Sequence, residues 1–188
     1  MGRWQPDARE RLQLAALALY GERGYEETTV AEIAERAGLT ERTFFRHFSD
    51  KREVLFSGGK LLQELMVQSL AAAPEDATPL GAVEAAITAV APVFDERRDR
   101  ARVRQGIIDA HPELQEREVS KMATLSTALT EGLHARGVGE PDARLAADMG
   151  IAVFRSAFAQ WVASDAGDMR KSMDECFDAL TKVVEVGR

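Results

Sequence analysis

Arg42, Thr43, Arg46 and His47 gather hydrogen-bond donors along one short stretch, and Lys51 lies just beyond them. Donors of these types suit the phosphate oxygens and base edges of duplex DNA. Phe44 and Phe48, four residues apart, make the other side of the same segment apolar. A hairpin serving only as packing has no need to collect donors there in a chain whose net charge is −7. No rival chemistry has a comparable cluster. His47, His111 and His134 are the three histidines, and no two fall at metal-ligand spacing. Cys176 sits in an apolar stripe, where a small buried hydrophobe is expected rather than a nucleophile. Neither a P-loop nor a dinucleotide-binding glycine pattern is present. The expectation is a protein that is not an enzyme and needs no metal or cofactor.

The elements that must position these donors are legible in residues 28–52, TTVAEIAERAGLTERTFFRHFSDKR. Thr29 caps a helix and Glu32, three residues on, completes a capping box. Val30, Ile33, Ala34 and Ala37 give that helix one apolar face. Gly38 supplies the positive φ that ends it and turns the chain. Leu39 fills the corner and Thr40 caps the second helix. Ser49 or Asp50 then caps a third, opening with Lys51 and Arg52. Helix, glycine turn and donor-bearing helix form the layout of a helix-turn-helix.

The stretches TTVAEIAERAGLT (28–40) and TFFRHF (43–48), with Lys51 and Leu55 behind them, resemble the DNA-binding signature of the TetR/AcrR family of transcriptional regulators. That family usually has tyrosine where this chain has Phe45, which removes a phenolic contact to phosphate and leaves an apolar contact to a sugar or a thymine methyl. The resemblance implies a repressor that binds double-stranded DNA as a homodimer on a palindromic operator and is released by a small molecule. Thr29, Thr40, Arg42, Thr43, Phe45, Arg46, His47 and Lys51 are the expected DNA-facing residues. Thr40 and Thr43 suit phosphate, and Arg42 suits guanine or phosphate. His47 and Lys51 are expected as phosphate anchors, Lys51 aided by a helix N-terminus, while Arg46 is open between groove and backbone. The alternative is a ligand-independent DNA-binding adaptor that recruits a protein partner.

The chain has 188 residues, 45 % hydrophobic and 29 % charged, enough for one or two domains with a real core. Alanine and leucine dominate, and no period-2 segment stands out. The expected class is all-α: an N-terminal three-helix helix-turn-helix domain (1–52) and a C-terminal helical bundle (53–188), about nine helices in all. No apolar run is long enough to span a membrane. The start, MGRWQPDARER, lacks the apolar core of a secretory signal, and one cysteine permits no internal disulfide. A cytoplasmic location is expected. The first 56 residues hold nine basic groups (Arg3, Arg9, Arg11, Arg23, Arg36, Arg42, Arg46, Lys51, Arg52) against ten acids. The local field, rather than the total charge, must therefore favour DNA. Arg3 and Trp4 make a short basic arm or a frayed tail.

Behind this module the pattern predicts a helix over 7–23, a long one from Lys51 to about Ala73 jointed at Gly58–Gly59, and a two-proline linker over 71–79. Further helices are expected from Leu80 to about Arg97 (kinked or shortened by Pro92), and over 112–137, 141–164 and 168–187. The charge run 96–105 is expected to continue helically to His111–Pro112. The helix over 141–164 is apolar on two sides, and one of them must meet something outside its own core. Leu145, Met149, Ala152, Val153 and Ser156, with Met169, Met173, Phe177 and Leu180 in the last helix, are the expected dimer surface. An effector that is apolar or acidic is expected against Phe94, Met122, Phe158 and Trp161, with Arg102 or Arg104 as the anchor for an acid. The segment from Arg102 through Pro112-Glu113-Leu114 to Arg117-Glu118 is also similar to actinomycete-type TetR-like regulators, whose effectors are sometimes acyl thioesters.

Overall fold

The computed structural model describes residues 7–165 and 167–185. Among these, ten α-helices and no strands are found: α1 (Ala8–Arg23), α2 (Val30–Arg36), α3 (Glu41–His47), α4 (Gly59–Ala71), α5 (Pro79–Thr88), α6 (Ala91–Asp95), α7 (Arg98–Asp109), α8 (Pro112–Ala135), α9 (Asp142–Ala163) and α10 (Met169–Glu185). The all-α expectation stands, with the five-residue α6 raising the count.

The chain divides into two compact units. The first comprises residues 1–58 and 102–116, the second 59–101 and 117–188. Thus α7 and α8 each give residues to both units.

In the first unit α1, α2 and α3 close on one apolar cluster. Leu12, Ala16, Leu19, Tyr20, Ile33 and Phe44 lie at its centre, and Val54, Leu55, Ile108 and Leu114 join it. Burial alone accounts for this collapse, since each fully buried side chain of that size contributes about 1.5–3 kcal/mol. The second unit packs α9 against α10 and α5, and α5 against α4. Its core holds Met66, Leu70, Val83, Ile87, Leu129, Leu133, Phe154 and Trp161.

Two helix boundaries differ from expectation. Residues 51–58 are not the first turns of α4. They form successive i→i+3 turns, in which Leu55, Phe56 and Ser57 N–H groups donate to Arg52, Glu53 and Val54 carbonyls. The helix starts at Gly59, the joint that the glycine pair marks. Lys51 accordingly has no helix N-terminus to assist it. Nor is there one helix from 80 to 97. Pro92 cannot donate to the ladder, and the chain breaks at Ala89–Val90 into α5 and α6.

The crossing of α5 and α9 depends on Gly150. A Cβ there falls inside the van der Waals shell of Val83 Cγ1 and 2.9 Å from Ile87 Cδ1. Gly150→Ala gains about 1 kcal/mol of helix propensity, but forcing two close-packed helices apart costs about 1–3 kcal/mol. A net fall in thermal stability is expected, read by circular-dichroism melting; an unchanged or raised midpoint contradicts the close crossing.

Four residues expected at a dimer surface lie instead in the core of their own chain. Val153, Met169, Met173 and Phe177 are 0–5 % exposed within the second unit. The reason is that α10 lays its stripe on α9 and α5 of the same molecule, and a near-heptad spacing does not say whose helix it meets. Leu145 (53 % exposed), Ala152 and Ser156 remain outside, with Met149 and Leu180 half-buried.

Candidate nucleic-acid interface

Thr29 begins the site. Its hydroxyl accepts from the Glu32 N–H at 3.3 Å and donates to Glu32 Oε2 at 2.9 Å, and the same carboxylate accepts from the Thr29 N–H at 2.9 Å. The capping box is complete, and these bonds hold the Glu32 carboxyl below the usual range. The Thr29 hydroxyl is therefore committed to the start of α2 rather than offered to DNA. After α2, Gly38 turns the chain at φ +64°. Arg11 of α1 closes that end by donating to the Ala37 carbonyl. That left-handed φ favours glycine, and a Cβ there would also meet the Arg11 guanidinium at 2.9 Å. Arg11 is a part that sequence reasoning missed: its carbonyl partner lies 26 residues away.

Thr40 caps α3, accepting from the Thr43 N–H at 3.2 Å, and the two hydroxyls meet at 3.1 Å. Within α3, Phe44 is wholly buried and anchors the helix on its apolar side. The opposite side presents Arg42, Phe45 and Arg46, all exposed. Among the described residues no hydrogen bond or ion pair engages either guanidinium, whereas Arg23, Arg36 and Arg52 are paired with Glu32, Glu22 and Asp50. Of the first unit's described arginines, those two on α3 thus stand out as charges available to an anion.

His47 and Lys51 do not match the anchoring roles expected of them. The His47 ring turns Nε2 out of solvent with no partner, beside Phe48. Lys51 spends its ammonium internally, donating to the carbonyls of Tyr25 (2.9 Å), Glu26 (3.0 Å) and Thr28 (3.2 Å) and sitting 4.5 Å above the Tyr25 ring. Its own carbonyl accepts from the Tyr20 hydroxyl at 2.7 Å. Burial pushes the Tyr20 phenol up, and that of Tyr25 up to about 12. Both phenols therefore stay neutral, Tyr20 as a donor to Lys51, and Lys51 is a brace between the turn after α3 and the α1–α2 loop. A charged donor serving three carbonyls supports about 1.5–3 kcal/mol. Lys51→Ala is expected to destabilise the first unit by that amount in urea denaturation; a variant as stable as the parent contradicts the brace.

Expected effector residues divide between the units. In the second unit, Phe94, Phe158 and Trp161 do come together: Phe94 lies 5.5 Å from Phe158 and 6.0 Å from Trp161, and Phe154 joins them. Met122 is half-buried against the same core. Arg102 and Arg104 belong to the first unit. Arg104 donates to the Leu55 carbonyl at 2.7 Å and lies over the Phe56 ring, a structural engagement rather than an effector anchor. The arginine that turns into the aromatic group's own unit is Arg98. It donates to the Trp161 carbonyl at 3.0 Å, to Gly167 at 3.1 Å and to both oxygens of Ser164, capping α9. Asp95 completes the knot, accepting from Trp161 Nε1 at 3.2 Å and the Met169 N–H at 3.0 Å. Within the run ERRDRARVRQ no spacing distinguishes Arg98 from its neighbours. Arg3 and Trp4 lie outside the described residues.

Family models match both parts of the chain. Residues 14–57 match the bacterial regulatory proteins of the tetR family, and residues 77–185, more than half the chain, match a TetR C-terminal model described as the MftR C-terminal domain. The chain belongs to the TetR family. A curated relative, the HTH-type transcriptional regulator TcmR of Streptomyces glaucescens, is 40 % identical over 82 residues, 44 % of this chain and 36 % of that protein. The match thus spans little more than a third of that regulator. Two solved structures share the TetR fold. A TetR-family regulator from Syntrophomonas wolfei has TM-score 0.69 at 16 % identity, covering 96 % of each chain. Thermus thermophilus FadR, a repressor solved with lauroyl-CoA, has TM-score 0.55 at 22 % identity over 92 % of this chain and 93 % of that one. Among the described residues of this TetR-family chain, no helix is long and apolar enough to cross a membrane.

Proposed function

We propose that this chain is a cytoplasmic, ligand-released transcriptional repressor that grips a palindromic operator as a homodimer. Residues 1–52 are its reading head and 53–188 its effector and dimerisation part. The observation that carries the reading is the outer face of α3. Arg42 and Arg46 stand exposed and unengaged there, on a helix pinned from behind by Phe44. In a chain of net charge −7, two arginines kept out of internal ion pairs on one short helix are suited to a polyanion. Thr40 and Thr43, whose hydroxyls bond each other, sit at the edge of that face.

For dimerisation we favour Leu145, Met149, Ala152 and Ser156 of α9 with Leu180 of α10, the part of the expected surface that the chain's own core leaves wholly or partly uncovered. Two heads so coupled enter successive major grooves about 34–36 Å apart. The effector is taken to be apolar with an acidic end, entering beside Phe94 and Phe158; the lauroyl-CoA bound by the Thermus thermophilus relative supports that class. Because α7 and α8 give residues to both units, they are the elements through which about 1–3 kcal/mol of coupling acts on the heads.

Selection of bound duplexes from a random library by the full chain tests the reading. An inverted repeat is expected, its complex weakened by added lauroyl-CoA. No enrichment contradicts DNA binding, a single unrepeated motif contradicts the dimer, and indifference to every acyl-CoA tried contradicts the effector class.

A further inference from the structure

Arg9 belongs to the first turn of α1, yet its guanidinium lies at the C-terminal end of α3. It sits 5.3 Å over the ring of Phe48, the residue that caps that end. One Nη2 N–H donates to the Ser57 carbonyl at 3.0 Å. Both partners are neutral, and among the described residues no carboxylate balances the charge. Arg23, Arg36 and Arg52, by contrast, are balanced by Glu32, Glu22 and Asp50. Arg11 also meets only carbonyls, but it is half-buried behind the Gly38 corner, whereas Arg9 is exposed. Ring and carbonyl hold the Arg9 side chain in place while most of its five N–H groups stay uncommitted. An anion arriving there meets a cation already ordered, so little side-chain freedom is lost on binding.

The position selects a phosphate rather than a base. Arg42, Phe45 and Arg46 occupy the outer face of α3, whereas Phe48 is buried and Arg9 covers it from α1, on the flank of the helix. The seven residues of α3 span about 10 Å, close to the major-groove width of about 12 Å. Groups at its two ends are therefore spaced to meet phosphates of both strands. Thr40 and Thr43 bring hydroxyls to the first end. At the second, Lys51 is consumed by three carbonyls and His47 Nε2 is turned out of solvent. Residue 9 also precedes the stretch 14–57 that matches the family's head.

We infer that Arg9 clamps a backbone phosphate at the C-terminal end of α3 and so fixes the angle at which that helix docks. This rests on the DNA-binding reading above and adds a contact made from α1; such contacts orient a protein on the duplex without reading its sequence.

The test uses the full chain, duplexes enriched from a random library, and fluorescence anisotropy over a salt series. Arg9→Gln keeps a long stem and an N–H for Ser57 but removes the charge. Arg9→Lys keeps the charge without the planar fork. Each phosphate held contributes about −0.9 to the slope of log K against log salt, so Arg9→Gln is expected to be shallower by about 1.8 in a dimer. A fourfold rise in salt then costs the parent about twelvefold more affinity than the variant. Arg9→Lys keeps the parent's slope. Scanning a half-site with single neutral methylphosphonates locates the partner: at one position the parent weakens and Arg9→Gln does not. An unchanged slope in Arg9→Gln overturns the inference even where affinity falls, because a merely structural loss weakens binding equally at every salt. So does a slope in Arg9→Lys as shallow as that of Arg9→Gln. Failure of the parent to enrich any duplex overturns the DNA-binding reading as well.

Discussion

Trp161→Ala is expected to lower the unfolding free energy by about 3–5 kcal/mol, the range for removing a large aromatic from a packed interior. The side chain has no solvent exposure and meets both Phe94 and Phe158. Its loss does more than open a cavity. Asp95 Oδ1 loses the indole N–H that it accepts at 3.2 Å, and the Arg98 guanidinium loses the ring 5.5 Å beneath it. Trp161→Phe separates the two effects. Most of the volume remains and the hydrogen bond goes, so a smaller loss of about 0.5–1.5 kcal/mol is expected, the net worth of one hydrogen bond, because Asp95 is exposed and keeps the Met169 N–H. Urea denaturation followed by circular dichroism measures both. If the alanine variant loses under about 1 kcal/mol, below the range for such truncations, the knot joining α6, α7, α9 and α10 does not hold the second unit together.

Replacing Arg42 and Arg46 together by alanine is expected to reduce operator affinity about a hundredfold while leaving the melting temperature unchanged. The affinity figure follows from two guanidinium contacts at about 1–3 kcal/mol where a base is read and less where a phosphate is held. The unchanged stability follows from the structure: both residues are exposed, and among the described residues neither makes a hydrogen bond or ion pair. The single variants divide the roles. Loss of a base reader relaxes sequence preference, whereas loss of a phosphate contact weakens all duplexes alike. A double variant that melts early, or binds as the parent does, contradicts the assignment of this face.

What could be read in the sequence was what depends on near neighbours. The Thr29–Glu32 box, the Thr40 cap and the Gly38 corner each need partners within a few residues, and all form. Phe44, Ile33 and Leu12 declare themselves as core by helical periodicity. Hidden from the sequence was every role assigned by a distant backbone. Lys51 looked like a phosphate anchor because its donors were visible and the carbonyls that consume them, 23–26 residues back, were not. Arg98 reaches carbonyls more than sixty residues ahead, at Trp161 and Gly167. The stripe through Met169, Met173 and Phe177 was correctly apolar, yet periodicity is silent on whether a helix buries itself in its own chain or in a copy.

The central claim, that the exposed side of α3 grips duplex DNA, is tested most directly by the salt dependence of affinity for an enriched duplex. Each phosphate neutralised contributes a slope of about −0.9 in log K against log salt, so four arginines on two heads bound that way give about −3.6. The account predicts a negative slope for the parent, steepened by about −0.9 for each of these arginines that holds a phosphate, and a clearly shallower one for the double arginine variant. A flat dependence, or the same slope in both proteins, would contradict it.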